Sequence, residues 1–239
     1  MTHRFFLDTE FDTQTVQLEG SEAHHLLNVM RHKVGDVVQL FDGKGKLAEA
    51  EIVSHSRKSV ELQILKTTQE PNINRHEVIL ATAVPKGDRF RFLVEKATEL
   101  GVDRLVPLRT EHSVVDPREN KLDKLRQTVV SAAKQCGRNR LMLLEDSIDW
   151  PSFLDQFSEK NALWVAHPAG ITARLALEQT VEPASKNIVL AVGPEGGFSD
   201  SEIEQAVSRS ANLVSLGATI LRTETAALAM ATLFGLTGS

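Results

Sequence analysis

Along roughly the first 70 residues, apolar and polar positions alternate in short runs: RFFLD, TVQLEG, VVQLFDG, KLAEAEIVSH and KSVELQILKT. A period of two predicts half-buried strands. Gly20, Gly35-Asp36 and Asp42-Gly43 punctuate them, as in a small antiparallel barrel. One stretch breaks the rhythm. SEAHHLLNVMR puts Ala23, Leu26, Leu27 and Met30 on one helical face behind a cap-like Ser21. QEPNINRHE then loses both periodicities around Pro71 and two asparagines and reads as a linker. The expected organisation is one domain over residues 1–70 and a second over 73–239.

The second part has a different rhythm. EVILATAV precedes RFRFLVEKATELG, RLVPL precedes NKLDKLRQTVVSAAKQC, and ALWVAHP precedes a short helical patch. NIVLAVGP then leads to DSEIEQAVSRS, and NLVSLG to TETAALAMATLFG. Alternating strands and helices predict an α/β domain, a mostly parallel sheet with helices on its faces. Ligands on such sheets bind beyond the carboxyl ends of the strands. Two loops there, GPEGG at 193–197 and LGATILRTET at 216–225, are therefore expected to meet in one crevice.

Composition adds limits. The 239 residues, 41% apolar and 25% charged, are ordinary for a soluble globular chain. No run approaches the ~18 apolar residues of a membrane span, and MTHRFFLDTE does not read as a signal peptide. A single cysteine, Cys136, excludes an internal disulfide framework and suits a reducing cytoplasm. Net charge is −5, yet the stretch from Lys86 to Arg140 holds 13 basic against 8 acidic residues. A basic middle between acidic flanks reads either as a phosphate-facing surface or, more commonly, as solvated helix faces.

In GPEGG, Gly193 and Gly196-Gly197 permit positive φ and close approach to the main chain. Ser199 or Asp200 can cap the next helix, with Glu202 placed as in a capping box. Those five residues alone read as a tight structural turn and an ordinary helix start. They match neither GxGxxG nor GxxxxGK[ST], so neither nucleotide signature is supported. In the later loop, Leu216, Ile220 and Leu221 are placed for an apolar slot, and Arg222-Thr223-Glu224-Thr225 bring a charge pair and two hydroxyls to a helix start. There too a plain alternative stands, with Thr223 as a cap and Arg222 paired to Glu224.

GPEGGFSDSE and LGATILRTETAAL resemble the signature segments of the small-subunit ribosomal RNA uridine-N3 methyltransferases, the RsmE family of the SPOUT superfamily. The resemblance extends, in order, through RFFLD, HHLLNVMRHKVGD, KSVELQIL, PKGDRFRFLVEKATELGV, QCGRNR and AHP at 166–168. It departs at Met30, where the family often has Leu, and at Arg91, where an acidic or polar residue is expected.

The resemblance implies a PUA-like N-terminal barrel that binds the RNA substrate and a SPOUT trefoil-knot domain. It also implies S-adenosyl-L-methionine as cofactor without a metal, a cytoplasmic homodimer, and 16S rRNA in the assembled small subunit as substrate. An apolar slot with free main-chain groups suits adenine. On that reading Gly193, Glu195, Gly196, Gly197, Leu216, Gly217, Ile220, Leu221 and Thr225 bind the cofactor, and Ala166, His167 and Pro168 at a third strand end close the pocket. His167 taken alone reads as a structural or capping histidine, and its place at a strand's carboxyl end brings the ligand reading level with that one. Methylating uridine N3 removes an imide proton and leaves charge on O2 and O4, which a guanidinium stabilises. Arg222 is the expected catalytic cation, and Glu224 either orients it or accepts the proton. Nitrogen attacks directly, so Cys136 has no nucleophilic part.

RNA contacts are expected from Lys86, Arg89, Arg138 and Arg140, with Arg4, His24 and Arg31 in the first domain. Each is individually also an ordinary surface charge. The absence of Tyr and of RNP-type aromatics argues against a stacking platform. Two rivals remain at this level: a SPOUT enzyme acting on ribose 2′-oxygens, whose last helix starts with Ser/Asn-rich text rather than RTETAAL, and a non-enzymatic RNA-binding module.

Overall fold

The computed structural model describes residues 3–9, 11, 13–71, 76–115, 119–157, 161–179 and 187–235. Part of the expected linker, residues 72–75, lies outside them. The chain divides into two compact units, Met1–Ile73 with Ala133–Leu141, and Asn74–Ala132 with Met142–Ser239.

The first unit has strands β1 (Arg4–Phe6), β2 (Thr15–Glu19), β3 (Val37–Phe41), β4 (Lys46–His55) and β5 (Ser59–Gln69). They form a curled sheet in the order β1-β3-β4-β5-β2. Three ladders are antiparallel as expected, but β1 pairs with β3 in parallel. The reason is the crossover: parallel partners need a long connection, and helix α1 (Gly20–His24) lies within the one between them. Register shifts at Glu49/Ala50 and Ile52/Ser54 mark bulges in the β4–β5 ladder, which bend and twist a sheet locally. Alternate side chains, among them Leu18, Val38, Leu40, Ala50, Ile52 and Leu62, fill its inside together with Phe5 and Leu26.

The expected helical face is found, with Ala23 and Leu26 buried and Leu27 and Met30 packed against the core. Its cap is not. Glu19 occupies the cap position, makes no side-chain cap bond, and Gly20 at φ 62° turns the chain into the helix, so Ser21 is already inside. The helix then widens into a π-helical turn, His25–Val29, closed by Met30 N–H donating to His25 O at 2.9 Å. Arg31 ends it in the left-handed region at φ 58°.

The second unit contains β6 (Val78–Ala83), α2 (Arg89–Glu99), β7 (Arg104–Arg109), α3 (Glu119–Cys136, whose last turn belongs to the first unit), β8 (Leu143–Leu144), β9 (Ile148–Asp149) and α4 (Trp150–Phe157). There follow β10 (Ala162–Thr172), α5 (Ala173–Gln179), β11 (Ile188–Val192), α6 (Asp200–Ser208), β12 (Asn212–Ser215) and α7 (Thr223–Gly235). The sheet is parallel throughout, in the order β12-β10-β11-β6-β7-β8, with β9 also beside β7. The central strands β6 and β11 are buried at every position, as expected of strands covered on both faces. After β11 the chain crosses back over β10 to lay β12 on its far side, the crossing on which the expected knot depends.

Gly170 makes that crossing tight. A Cβ built there would lie 2.4 Å from Val214 N and 2.5 Å from Leu213 C. Helix α7 is apolar nearly all round and packs Ala227, Met230, Ala231 and Phe234 into the core. Helix α4, not expected from the sequence, buries Trp150, Phe153, Leu154 and Phe157, an i, i+3, i+4, i+7 stripe. Among the described residues no helix is long and apolar enough to cross a membrane.

Candidate active site

Five loops leave the carboxyl ends of the parallel strands: 84–88 after β6, 110–115 after β7, 167–170 within β10, 193–199 after β11 and 216–222 after β12. Hydrogen bonds and close packing tie three of them together. Gly197 N–H donates to Pro194 O at 2.8 Å, closing GPEGG into a turn with Gly197 at φ 74°. The turn enters α6 through a complete capping box, Ser199 Oγ accepting from Glu202 N–H at 3.3 Å and Ser199 N–H donating to Glu202 Oε2 at 2.9 Å. Thr223 Oγ1 donates to Gly193 O at 3.3 Å, so the start of α7 is fastened to the GPEGG loop. Thr223 is thus a cross-loop donor, and the first helical bond of α7 runs from Ala226 N–H to Arg222 O.

Only one of the three GPEGG glycines has the positive φ expected of them. At Gly193 and Gly196 smallness serves protein neighbours: an added Cβ would meet the Phe198 ring at 3.0 Å or His112 Cβ at 3.2 Å. His112 belongs to the loop after β7, which the sequence reasoning passed over. Its Nδ1 lies 3.2 Å from Gly197 O, and Glu111 N–H donates to Glu202 Oε1 at 2.9 Å. The signal was available, since TEHS at 110–113 follows a strand's carboxyl end like the two loops that were singled out.

The charged groups pair differently from the expectation. Glu224 is buried, and its cation is Arg89, whose Nη1 lies 3.5 Å from Oε2. The same Nη1 is 3.2 Å from Glu195 Oε1, and Arg89 Nε donates to Lys86 O at 3.1 Å. Arg222 is exposed and has no side-chain partner among the described residues. Glu224 Oε2 is buried without a hydrogen bond. Among the described residues, a guanidinium without a partner and an acceptor without a donor therefore stand at the start of α7.

Ala166, His167 and Pro168 do not end their strand. Ala166 and Ile171 both register with Val214, and residues 167–170 bulge out between them. Pro168 has no N–H for the ladder, and His167 Nδ1 accepts from Ala169 N–H at 3.2 Å, which stiffens the bulge. The other ligand-side positions are open. At Gly217 (φ 124°) and Gly197 a built Cβ meets nothing within 4 Å, Leu216 and Leu221 are half-buried, Thr225 is exposed, and Ile220 is 82% exposed. Accessible main chain beside aliphatic side chains fits the adenine-bearing cofactor implied by the sequence.

The expected RNA contacts fall in both units. Lys86 is exposed beside Arg89 in the second. In the first, His24 and Arg31 are exposed, whereas Arg4 is engaged. It donates to Gly137 O at 2.7 Å, Arg138 O at 3.2 Å and Asn139 Oδ1, lies over the Phe41 ring, and has its pKa lowered by burial. Arg140 lies against Gly45 and 3.8 Å from Glu70 Oε2. Arg138 is half-buried. The basic middle is similarly spent: Arg104 pairs with Glu145, Arg109 with Asp149, Arg126 with Asp123 and Asp146, and Lys134 with Glu22. Arg91 is exposed on α2 without a partner among the described residues.

Comparison with known proteins agrees with this layout. Residues 72–235 match the family described as RNA methyltransferase domain, and residues 18–65 match an RNA methyltransferase PUA domain. The ribosomal RNA small subunit methyltransferase E of Synechocystis sp. is 34% identical over 89% of this chain and 70% of its own length; that of Bacillus subtilis is 30% identical over 91% and 88%. The crystal structure of a ribosomal RNA small subunit methyltransferase E from Neisseria gonorrhoeae bound to S-adenosyl methionine shares 31% identity, with a TM-score of 0.87 over 99% of this chain and 98% of the other. A Legionella pneumophila methyltransferase in complex with the bound cofactor SAM has the same identity and TM-score over 100% and 98%.

Proposed function

The chain belongs to the ribosomal RNA small subunit methyltransferase E family, and from that premise we propose that it methylates N3 of a specific uridine in 16S rRNA, using S-adenosylmethionine held by residues 193–197 and 216–221. The observation that carries this reading is the start of α7, where Arg222, unpartnered among the described residues, and the buried Glu224 Oε2, which accepts no hydrogen bond among them, flank a Thr223 bonded to the GPEGG loop.

When bound, the cofactor supplies an electrophilic methyl group. The chain's own residues handle the uracil. Glu224 Oε2 lacks a hydrogen-bond donor, and the N3–H of uridine is a donor of the right kind. Deprotonation leaves charge on O2 and O4, and Arg222 has its guanidinium free to receive it. A ribose 2′-hydroxyl would not call for a guanidinium at two carbonyl oxygens. Lys86, Arg31 and His24, exposed and unpaired among the described residues, are the foremost RNA contacts. Arg138 is placed less openly, and Arg4 and Arg140 serve their own unit first. Action in the cytoplasm, as a homodimer and on the assembled subunit, completes the proposal. Ile220 supports the dimer as an apolar side chain that its own chain leaves uncovered.

Mapping methyl groups on small subunits from a strain lacking the protein, before and after treatment with the enzyme, tests the reading. A new methyl on a uridine N3 supports it; a methyl on ribose or none at all refutes it. Arg222→Ala should lower the single-turnover rate on cofactor-saturated enzyme on the order of 10²–10³-fold, with cofactor affinity nearly unchanged. A normal rate removes Arg222 from the chemistry.

A further inference from the structure

We propose that Arg89 is a positioning residue for methyl transfer rather than an RNA contact, and that it holds Glu224 against the cofactor loop. The inference rests on the function proposed above. The geometry gives Arg89 three anchors, from two loops and the start of α7. Its Nε donates to Lys86 O at 3.1 Å, while the single nitrogen Nη1 sits 3.2 Å from Glu195 Oε1 and 3.5 Å from Glu224 Oε2. A guanidinium is a planar fork with fixed donor directions. With Nε bound to the main chain of its own loop, the remaining edge is aimed.

Charge explains why such an anchor is needed. Glu195 is about half exposed in side chain, but the Glu224 side chain is only 11% exposed. A buried carboxylate needs a paired cation. Arg222, two residues away, forms no ion pair with it among the described residues, and Thr223 is committed to Gly193 O. Arg89 is the one cation within 4 Å of Glu224 among the described residues. The contact is an ion pair at 3.5 Å and not a hydrogen bond, so it fixes the position of Glu224 Oε2 without using that oxygen's acceptor capacity. The Arg89 side chain is itself only 31% exposed and faces two carboxylates that offset its charge, a poor state in which to meet a phosphate.

The two roles separate in full-length Arg89→Met and Arg89→Lys assayed on native small subunits. Total methyl incorporation at any atom is followed in single turnover, with cofactor affinity by calorimetry and the salt dependence of subunit binding without cofactor. A misplaced group costs on the order of 10²-fold, so Arg89→Met should lose about that much rate while cofactor affinity and the salt slope stay close to wild type. Arg89→Lys keeps a cation between the carboxylates but loses the Nε anchor, and should recover to within roughly tenfold of wild type. In Arg89→Met/Glu224→Gln the loss should be no larger than in Glu224→Gln alone, because residues acting as a unit are not additive. Three results would each overturn the proposal. They are an unchanged rate with a salt slope reduced by about 1, the mark of a phosphate contact; multiplicative losses in the double variant; or a Lys variant no better than Met. A wild-type methyl found on another atom would refute the uridine assignment while leaving the Arg89 comparison readable.

Discussion

Gly170→Ala is the change that the threading of β12 tolerates least. The added carbon would lie 2.4 Å from Val214 N, 2.5 Å from Leu213 C and 2.7 Å from Leu213 O. Carbon contacts are comfortable near 3.5–4.0 Å, so the shortfall is about 1 Å. All three obstacles are backbone atoms of β12, and no rotamer can relieve them. The strand must shift, and it is held by ladder pairs on both sides of the bulge, from Trp164↔Asn212 to Thr172↔Ser215. Overpacking of this kind costs about 3 kcal/mol, the top of the usual range. Against it, replacing glycine removes unfolded-state freedom worth roughly 0.4–1 kcal/mol. The clash wins by about 2–2.5 kcal/mol. For a chain of this size that lowers Tm by roughly 5–10 °C, read by differential scanning calorimetry. Because β12 runs directly into residues 216–222, cofactor affinity should fall as well, read by titration calorimetry. A Tm within about 2 °C of the parent together with unchanged affinity would refute the reasoning.

Gly217→Ala meets no protein atom within 4 Å but occupies a left-handed position at φ 124°. It should cost only about 1–2 kcal/mol of stability while weakening cofactor binding more than tenfold in calorimetry. Thr223→Val removes the bond to Gly193 O and should lower Tm by a few degrees, about 1 kcal/mol, with a parallel loss of cofactor affinity. Asp36 is held below the usual carboxylate range by the Lys33 N–H and then by His32. Its ionised form therefore favours folding above the ordinary Asp pKa, and the contribution disappears as pH falls through the lower folded value. Asp36→Asn should flatten the drop of Tm with pH below about pH 4.

The alternating runs of the first 70 residues and the strand–helix rhythm of the rest are each set by neighbours along the chain, which is why both were legible. The parallel β1–β3 pairing was not, because periodicity marks a strand without naming its partner. Helix α4 carries a helical stripe, but over only eight residues, short of the roughly ten by which a helix is told from its surroundings in sequence. At the site, GPEGG and LGATILRTET showed themselves through glycine clustering and position after buried strands. The ionic partner of Glu224 did not, because Arg89 is 135 positions away in sequence and reaches it only through the sheet. Nearness along the chain favoured Arg222, and the fold chose otherwise. Gly170 carried no signal either, since a glycine required by another segment's backbone looks like any loop glycine.

The first unit is discontinuous in sequence: its curled sheet is joined by residues 133–141, with Arg4 donating to carbonyls of Gly137 and Arg138, and Leu141 N–H donating to Gly43 O. On the ribosome this imposes a timetable. The sheet strands emerge first, but the groups that satisfy Arg4 and close the sheet's Gly43–Gly45 corner come about 70 residues later, roughly 4–14 s at bacterial elongation rates. During that interval the nascent chain presents an unmatched guanidinium and an open corner. The N-terminal part therefore cannot finish as an independent early unit, and its completion waits on synthesis of more than a third of the catalytic part.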